Sequence, residues 1–136
     1  MAWYAFIHPL MAIGTIALGL VTSQTSLSKL NDWDFPLTRQ RSRSVMVFLL
    51  TAVNFVVGLV ANATMRGHGA GLKLTAHMPL GIVVMVLAAI AAVITFGRSR
   101  SGELSPIMRW HPVLSVLALA LTLTMGFLTA LPFIFK

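Results

Sequence analysis

The chain has 136 residues, of which 57% are hydrophobic and only 10% are charged. Soluble domains carry about 25% charged residues, so this composition excludes a soluble globular enzyme, a disordered tail and a disulfide scaffold. The chain has no cysteine, which excludes thiolate metal sites and cysteine nucleophiles, and its net charge of +7 comes from cations between apolar runs rather than from a nucleic-acid-binding surface.

Four apolar segments are long enough to cross a bilayer, because a spanning helix needs about 20 mostly apolar residues. They cover residues 2–23, 44–64, 73–96 and 107–135. The connections between them are short, and short connections favour antiparallel neighbours. The sequence therefore predicts an all-α fold: an integral membrane, up-down four-helix bundle that forms a single domain over residues 1–136.

The basic residues divide unequally between the two sides of this bundle. Arg66, Lys73 and Lys136 share the side of the N-terminus. Seven others lie on the opposite side: Lys29, Arg39, Arg41, Arg43, Arg98, Arg100 and Arg109. Cytoplasmic loops carry the excess of Lys and Arg, so both termini are expected on the periplasmic or lumenal side. A bacterial inner membrane or a thylakoid-type internal membrane is the predicted location.

Histidines supply the chemistry within the spans. His8 and His77 enter helices 1 and 3 from the same side at similar depth. Two neutral imidazoles facing each other across a bundle are what a six-coordinate b-type haem requires. The sequence therefore predicts haem b bound through His8 and His77. The alternative for each histidine, and also for His111 at the start of helix 4, is a hydrogen bond to a neighbouring carbonyl.

Four further residues are candidates for the haem site. Arg66 and Lys73 lie near the side on which His8 and His77 enter, where they would neutralise the two propionates. Gly14 and Gly81 would let the flat ring approach the backbone, although small residues also serve as packing devices between membrane helices. Gly81 lies four residues after His77 and so shares its helix face.

The His8-Pro9 and His111-Pro112 pairs and His77-Met78-Pro79 form a pattern that resembles the cytochrome b561-like superfamily of four-helix di-haem membrane proteins. More narrowly, it is similar to a small, uncharacterised family of four-helix proteins common in cyanobacteria and related bacteria. The resemblance covers nearly the whole chain. It implies that His8 and His77 are the ligands of one haem and that His111 is one ligand of a second haem on the opposite side.

The chain departs from that family at the start of helix 2. Arg39-Gln40-Arg41-Ser42-Arg43-Ser44 stands where the family carries a histidine. Three outcomes follow for the second site: it is lost, it uses Met46 or another weak ligand, or it holds a five-coordinate pigment. The expected haem count is therefore one, with two as the alternative.

Two functions follow from these residues. The first is electron transfer by a b-type cytochrome-like protein, with a quinone or a redox protein as partner. The second is a structural or chlorophyll-binding subunit of a larger photosynthetic or respiratory complex, because chlorophyll needs only one axial ligand. Either function describes an electron carrier or a complex subunit better than a stand-alone enzyme.

Overall fold

A computed structural model describes residues 6–29, 37–67, 77–96 and 106–134 of the chain. Four α-helices account for almost all of this part: α1 (Ile7–Lys29), α2 (Leu37–Gly67), α3 (His77–Ile94) and α4 (Trp110–Ile134). A short 3₁₀ turn, Pro106–Arg109, leads into α4. No strand occurs in the described residues. The predicted all-α four-helix bundle is confirmed.

All four helices are long and apolar enough to cross a membrane. The chain is accordingly a multi-pass membrane protein. Its outer surface carries large apolar side chains such as Leu10, Val60, Val93 and Phe127, each more than half exposed. A surface of this kind is stable in lipid and costly in water.

The helices form a ring in chain order. α1 packs against α2 and α4, and α3 packs against the same two helices. The pairs α1/α3 and α2/α4 therefore face each other across the two diagonals of the bundle. His8 and His77 mark one end, called here the His8 end, and His111 marks the other, called the His111 end.

The first two helices are longer than hydropathy predicts. The sequence predicts spans that end at residue 23 and restart at residue 44, with a 20-residue connection. In the structure α1 continues to Lys29 and α2 begins at Leu37. Hydropathy measures only the length that lipid covers, whereas a helix of 31 residues extends about 46 Å. Arg39, Arg41 and Arg43 therefore lie in the first turns of α2 and not in a loop.

The other boundaries differ by a few residues. The described part of α3 begins at His77, and residues 73–76, which the sequence assigns to this span, lie outside the described residues. α3 ends at Ile94, followed by a turn at Thr95 and Phe96. α4 begins at Trp110, because residues 106–109 form the tighter 3₁₀ turn.

The interior of the bundle is built from small and polar side chains. The buried apolar residues are mostly small and come largely from α3, including Val84, Ala88 and Ala91. The buried polar residues are Thr15, Thr22, Ser23, Ser26, Gln40, Ser44, Asn62, Thr95 and His111. Small side chains let membrane helices approach closely, and polar ones bond across them. Except for Thr15 and Asn62, these polar residues lie toward the His111 end of the bundle.

Candidate functional site

A partly open cavity lies at the His8 end of the bundle. His8 of α1 and His77 of α3 both line it, together with Asn54, Phe55 and Gly58 of α2. The structure therefore brings the two predicted histidines together in one cavity.

The two imidazoles face each other across the α1/α3 diagonal. Their ring centroids lie 6.0 Å apart, and the ring planes are inclined by 72°. Metal–imidazole bonds are about 2.0–2.1 Å long. When the distance from each nitrogen to the centre of its ring is added, the centroids of two imidazoles that ligate one metal from opposite sides lie about 6 Å apart. The observed centroid separation matches that requirement.

The ring of His8 is fixed by the backbone of α2. Its Nδ1 lies 3.0 Å from the carbonyl oxygen of Asn54. A carbonyl can only accept a hydrogen bond, so Nδ1 carries the hydrogen and Nε2 keeps a lone pair. Ligating histidines usually show this arrangement, in which a second bond orients the ring and fixes its tautomer.

Gly58 makes this approach to α2 possible. It lies one turn after Asn54, and a Cβ at residue 58 would stand 2.8 Å from Cε1 of His8. Sequence reasoning missed both Asn54 and Gly58. The sequence does mark them, because a polar residue and a glycine four positions apart stand in an otherwise apolar run. This spacing places both residues on one face of the helix.

The two glycines that the sequence analysis selected differ in their surroundings. Gly81 is buried and lines the cavity, and a Cβ there would lie 3.1 Å from the ring of Phe55. Gly14 is exposed on the outer face of α1, with open space where a Cβ would stand. Gly14 points away from the cavity because it follows His8 by six residues, which is a rotation of about 240° around the helix axis.

The predicted partners of the haem propionates cannot be placed. Arg66 belongs to the last turn of α2, but its side chain lies outside the described part of the structure. Lys73 lies outside the described residues altogether. Their role at the propionates stays a prediction.

The donor set of the cavity suits a haem. Among the described residues no group of three or more His, Cys, Asp or Glu could hold a bare metal ion. A haem needs only two protein ligands, because its macrocycle supplies the other four nitrogens. The cavity also contains two buried atoms without a protein partner, Nδ1 of His77 and Oδ1 of Asn54. The residues present therefore fit a bis-histidine haem.

A compact polar cluster occupies the His111 end. It consists of Ser26, Gln40, Ser44 and His111, all at least 96% buried. The amide of Gln40 donates to Ser26 Oγ and to Nε2 of His111, the latter over 2.8 Å, and the Ser44 hydroxyl lies 3.3 Å from the same nitrogen. This set, called here the Gln40–His111 cluster, joins α1, α2 and α4.

His111 presents no free nitrogen in this cluster. Its Nδ1 lies 3.0 Å from the carbonyl of Ala91 on α3 and donates to it. Its Nε2 accepts from Gln40 and Ser44. These are the hydrogen bonds that the sequence allows for His111 as the alternative to ligation, and its role as a haem ligand stays a prediction. Gln40 was missed because the sequence analysis assigned residues 24–43 to a loop.

Met46 does not compensate for the absent histidine of helix 2. Its side chain is 50% exposed on the outer surface of α2. Six positions separate it from Gln40, which rotates it by about 240° away from the bundle interior. The weak-ligand alternative that names Met46 for the second site is therefore not supported by its position.

Two arginines at the His111 end hold neighbouring helices. Arg41 donates from Nε to the carbonyl of Thr95 over 2.6 Å, and its guanidinium lies 5.5 Å from the centre of the Phe96 ring. Arg43 donates to the hydroxyl of Thr25 over 3.1 Å. Part of the basic cluster thus has a packing role besides any topological one.

A second cavity lies between the two ends and is lined in part by His111 and Ser23. Thr15, Thr51, Val84 and Thr122 line both cavities. Each helix contributes one of these four residues, so they form a layer that separates the cavities. The threonine hydroxyls donate to carbonyls of their own helices.

No protein-family model, curated protein or solved structure matches the chain. The functional argument therefore rests on the two ends of the bundle described above.

Proposed function

We propose that the chain is a b-type cytochrome-like membrane protein that transfers electrons through one haem held between His8 and His77. The observation that carries this proposal is the facing pair of imidazoles, 6.0 Å apart, in a shared cavity. The hydrogen bond from His8 to Asn54 supports it, because it leaves the lone pair on Nε2 of His8 available to a metal.

The protein's part in such a site is to bind, orient and shield. When bound, haem supplies one-electron chemistry through its iron. His8 and His77 would both ligate the haem iron, which would leave no open ligand position for a substrate. Phe55, Leu59 and Val84 contribute apolar walls to the cavity. An iron without an open ligand position favours electron transfer over chemistry on a substrate.

The opposite end of the bundle is proposed to be a degenerate second site. Gln40 and His111 face each other across the α2/α4 diagonal, as His8 and His77 do across the α1/α3 diagonal. A carboxamide is a poor ligand for haem iron, whose protein ligands are imidazole, thiolate, thioether or phenolate. Hydrogen bonds within the Gln40–His111 cluster already engage both nitrogens of His111.

The basic residues support an orientation and a setting for this function. The excess of Lys and Arg at the His111 end favours the cytoplasm on that side. The haem would then lie near the periplasmic or lumenal face of a bacterial inner membrane or thylakoid-type membrane. A quinone or a redox protein is the proposed exchange partner, within a larger membrane complex.

The proposal is tested by a reduced-minus-oxidised spectrum and haem-to-chain ratio of the purified protein. The wild type should give split α and β bands and about one haem per chain. His8→Ala and His77→Ala should each lose the haem. His68→Ala is the matched control, since His68 lies in the sequence between α2 and α3 and is not a proposed ligand.

Two results would overturn the proposal. One is a wild-type protein, purified with its native partners, that contains no haem. The other is a red chlorophyll band in place of the haem bands, which would favour the pigment-binding subunit.

A further inference from the structure

We infer that Asn54 positions both imidazoles of the His8–His77 site: its backbone carbonyl fixes His8, and its side-chain oxygen fixes His77 through one buried water. This inference deepens the proposed function and rests on it. Asn54 is thus a positioning residue that would set the electronic character of both ligands without touching the metal.

The first half of the inference is a direct contact. The Asn54 carbonyl accepts the hydrogen of His8 Nδ1 over 3.0 Å. Gly58 leaves the space through which that ring reaches the carbonyl. Since the acceptor is backbone, it remains when the Asn54 side chain is changed, and the two halves of the inference can be tested separately.

The second half concerns two buried atoms in the same cavity. Oδ1 of Asn54 and Nδ1 of His77 are both buried, and neither has a hydrogen-bond partner in the described structure. A buried polar atom without a partner costs about 1–3 kcal/mol. One atom is an acceptor and the other becomes a donor when Nδ1 carries the hydrogen. A single water, which typically makes about three hydrogen bonds, satisfies both.

This bridge has a chemical consequence for His77. In the arrangement that we infer, the water donates to Oδ1 of Asn54 and accepts the hydrogen of His77 Nδ1, which leaves the lone pair on Nε2 for a metal. A hydrogen bond at the outer nitrogen also raises the basicity of the ligating one. A more basic ligand stabilises the ferric form, so the bridge lowers the reduction potential.

Asn54→Leu tests this with a side chain of similar size. We expect haem to remain bound and the reduction potential to rise. Asn54→Asp keeps an acceptor oxygen and should give a potential equal to or below that of the wild type. Asn62→Leu is the matched control: Asn62 is another α2 asparagine with a buried, unpartnered Oδ1, but it does not line the cavity.

A second measurement does not depend on haem. In the full-length chain prepared without haem, ¹⁵N NMR of the His77 ring reports which nitrogen is protonated. We expect Nδ1–H in the wild type and in Asn62→Leu, and a mixture of tautomers in Asn54→Leu. These spectra test the inference even if the chain binds no haem. The absence of haem would contradict only the proposed function.

Two outcomes would overturn the inference. The first is an Asn54→Leu protein with unchanged potential and an unchanged His77 tautomer. The second is an equal change in Asn62→Leu, because the effect would then come from removing any buried amide. If Asn54→Leu does not fold, Asn54→Asp tests the inference in its place. A reduction potential of Asn54→Asp above that of the wild type would contradict the water bridge.

Discussion

Gly58 lies directly beneath the imidazole of His8, so close that a Cβ on residue 58 would stand 2.8 Å from Cε1 of that ring. The two residues belong to neighbouring helices, α2 and α1. The missing side chain of Gly58 is what allows the His8 ring to reach the Asn54 carbonyl. A glycine that looks like ordinary membrane-helix packing in the sequence is therefore part of the candidate site.

Gly58→Ala should displace the His8 ring. The added methyl group overlaps a ring held on one side by α2, and overpacking of this kind costs about 1–3 kcal/mol. We expect a lower haem-to-chain ratio together with a lower thermal midpoint. Gly14→Ala is the control, because open space surrounds the position of its Cβ. Full haem occupancy in Gly58→Ala would contradict the role assigned to this contact.

His111→Ala should destabilise the bundle without removing the haem. The substitution removes the buried hydrogen-bond partner of Gln40, Ser44 and the Ala91 carbonyl. Unpartnered buried polar groups cost about 1–3 kcal/mol of stability each, although hydrogen bonds between membrane helices often contribute less than this. Unfolding in mixed micelles, followed by circular dichroism, gives the stability. Loss of the α and β bands in a folded His111→Ala protein would place His111 in the haem site instead.

Gln40→His should create a second pair of facing imidazoles. The new side chain would lie opposite His111 across the α2/α4 diagonal, beside the cavity that His111 lines. We expect the haem-to-chain ratio to rise above that of the wild type, toward two. Gln40→His combined with His111→Ala should return the ratio to the wild-type value. A ratio that stays at one in Gln40→His alone would mean that this end cannot open for a haem.

Arg41→Gln should loosen the end of α3. The guanidinium donates to the Thr95 carbonyl just beyond the last turn of that helix and stacks near Phe96. Losing a charge-assisted bond at a helix C-terminus should lower the free energy of unfolding by about 1 kcal/mol. Arg39→Gln is the control, since Arg39 is exposed on the same helix. Equal stability of the two variants, by the same micelle assay, would argue against the capping role.

The proposed orientation can be tested with single cysteines, because the natural chain has none. Phe6→Cys marks the His8 end and Arg109→Cys marks the His111 end, both at exposed positions. In intact cells a membrane-impermeant maleimide should label residue 6 from the periplasm. Residue 109 should react only after the inner membrane is opened. The reverse pattern would place the His111 end outside.

The sequence by itself determined the architecture, because a bilayer accepts only segments whose length and polarity suit its hydrocarbon core. Four apolar runs with short connections are enough to predict an up-down bundle. The same topology puts His8 and His77 at one end, since α1 and α3 enter the membrane from the same side. No knowledge of side-chain packing is needed for either conclusion.

Only the tertiary structure decided which side chains meet. Contact between His8 and Asn54, or between Gln40 and His111, depends on the rotation of each helix about its axis and on which helices share a diagonal. All four helices have few charged residues and are apolar on most of their surface, so the sequence hardly indicates which face of each helix points inward. For this reason Gly14 and Met46 were plausible interior residues by composition, while the fold turns both outward and turns Gly58, Asn54 and Gln40 inward.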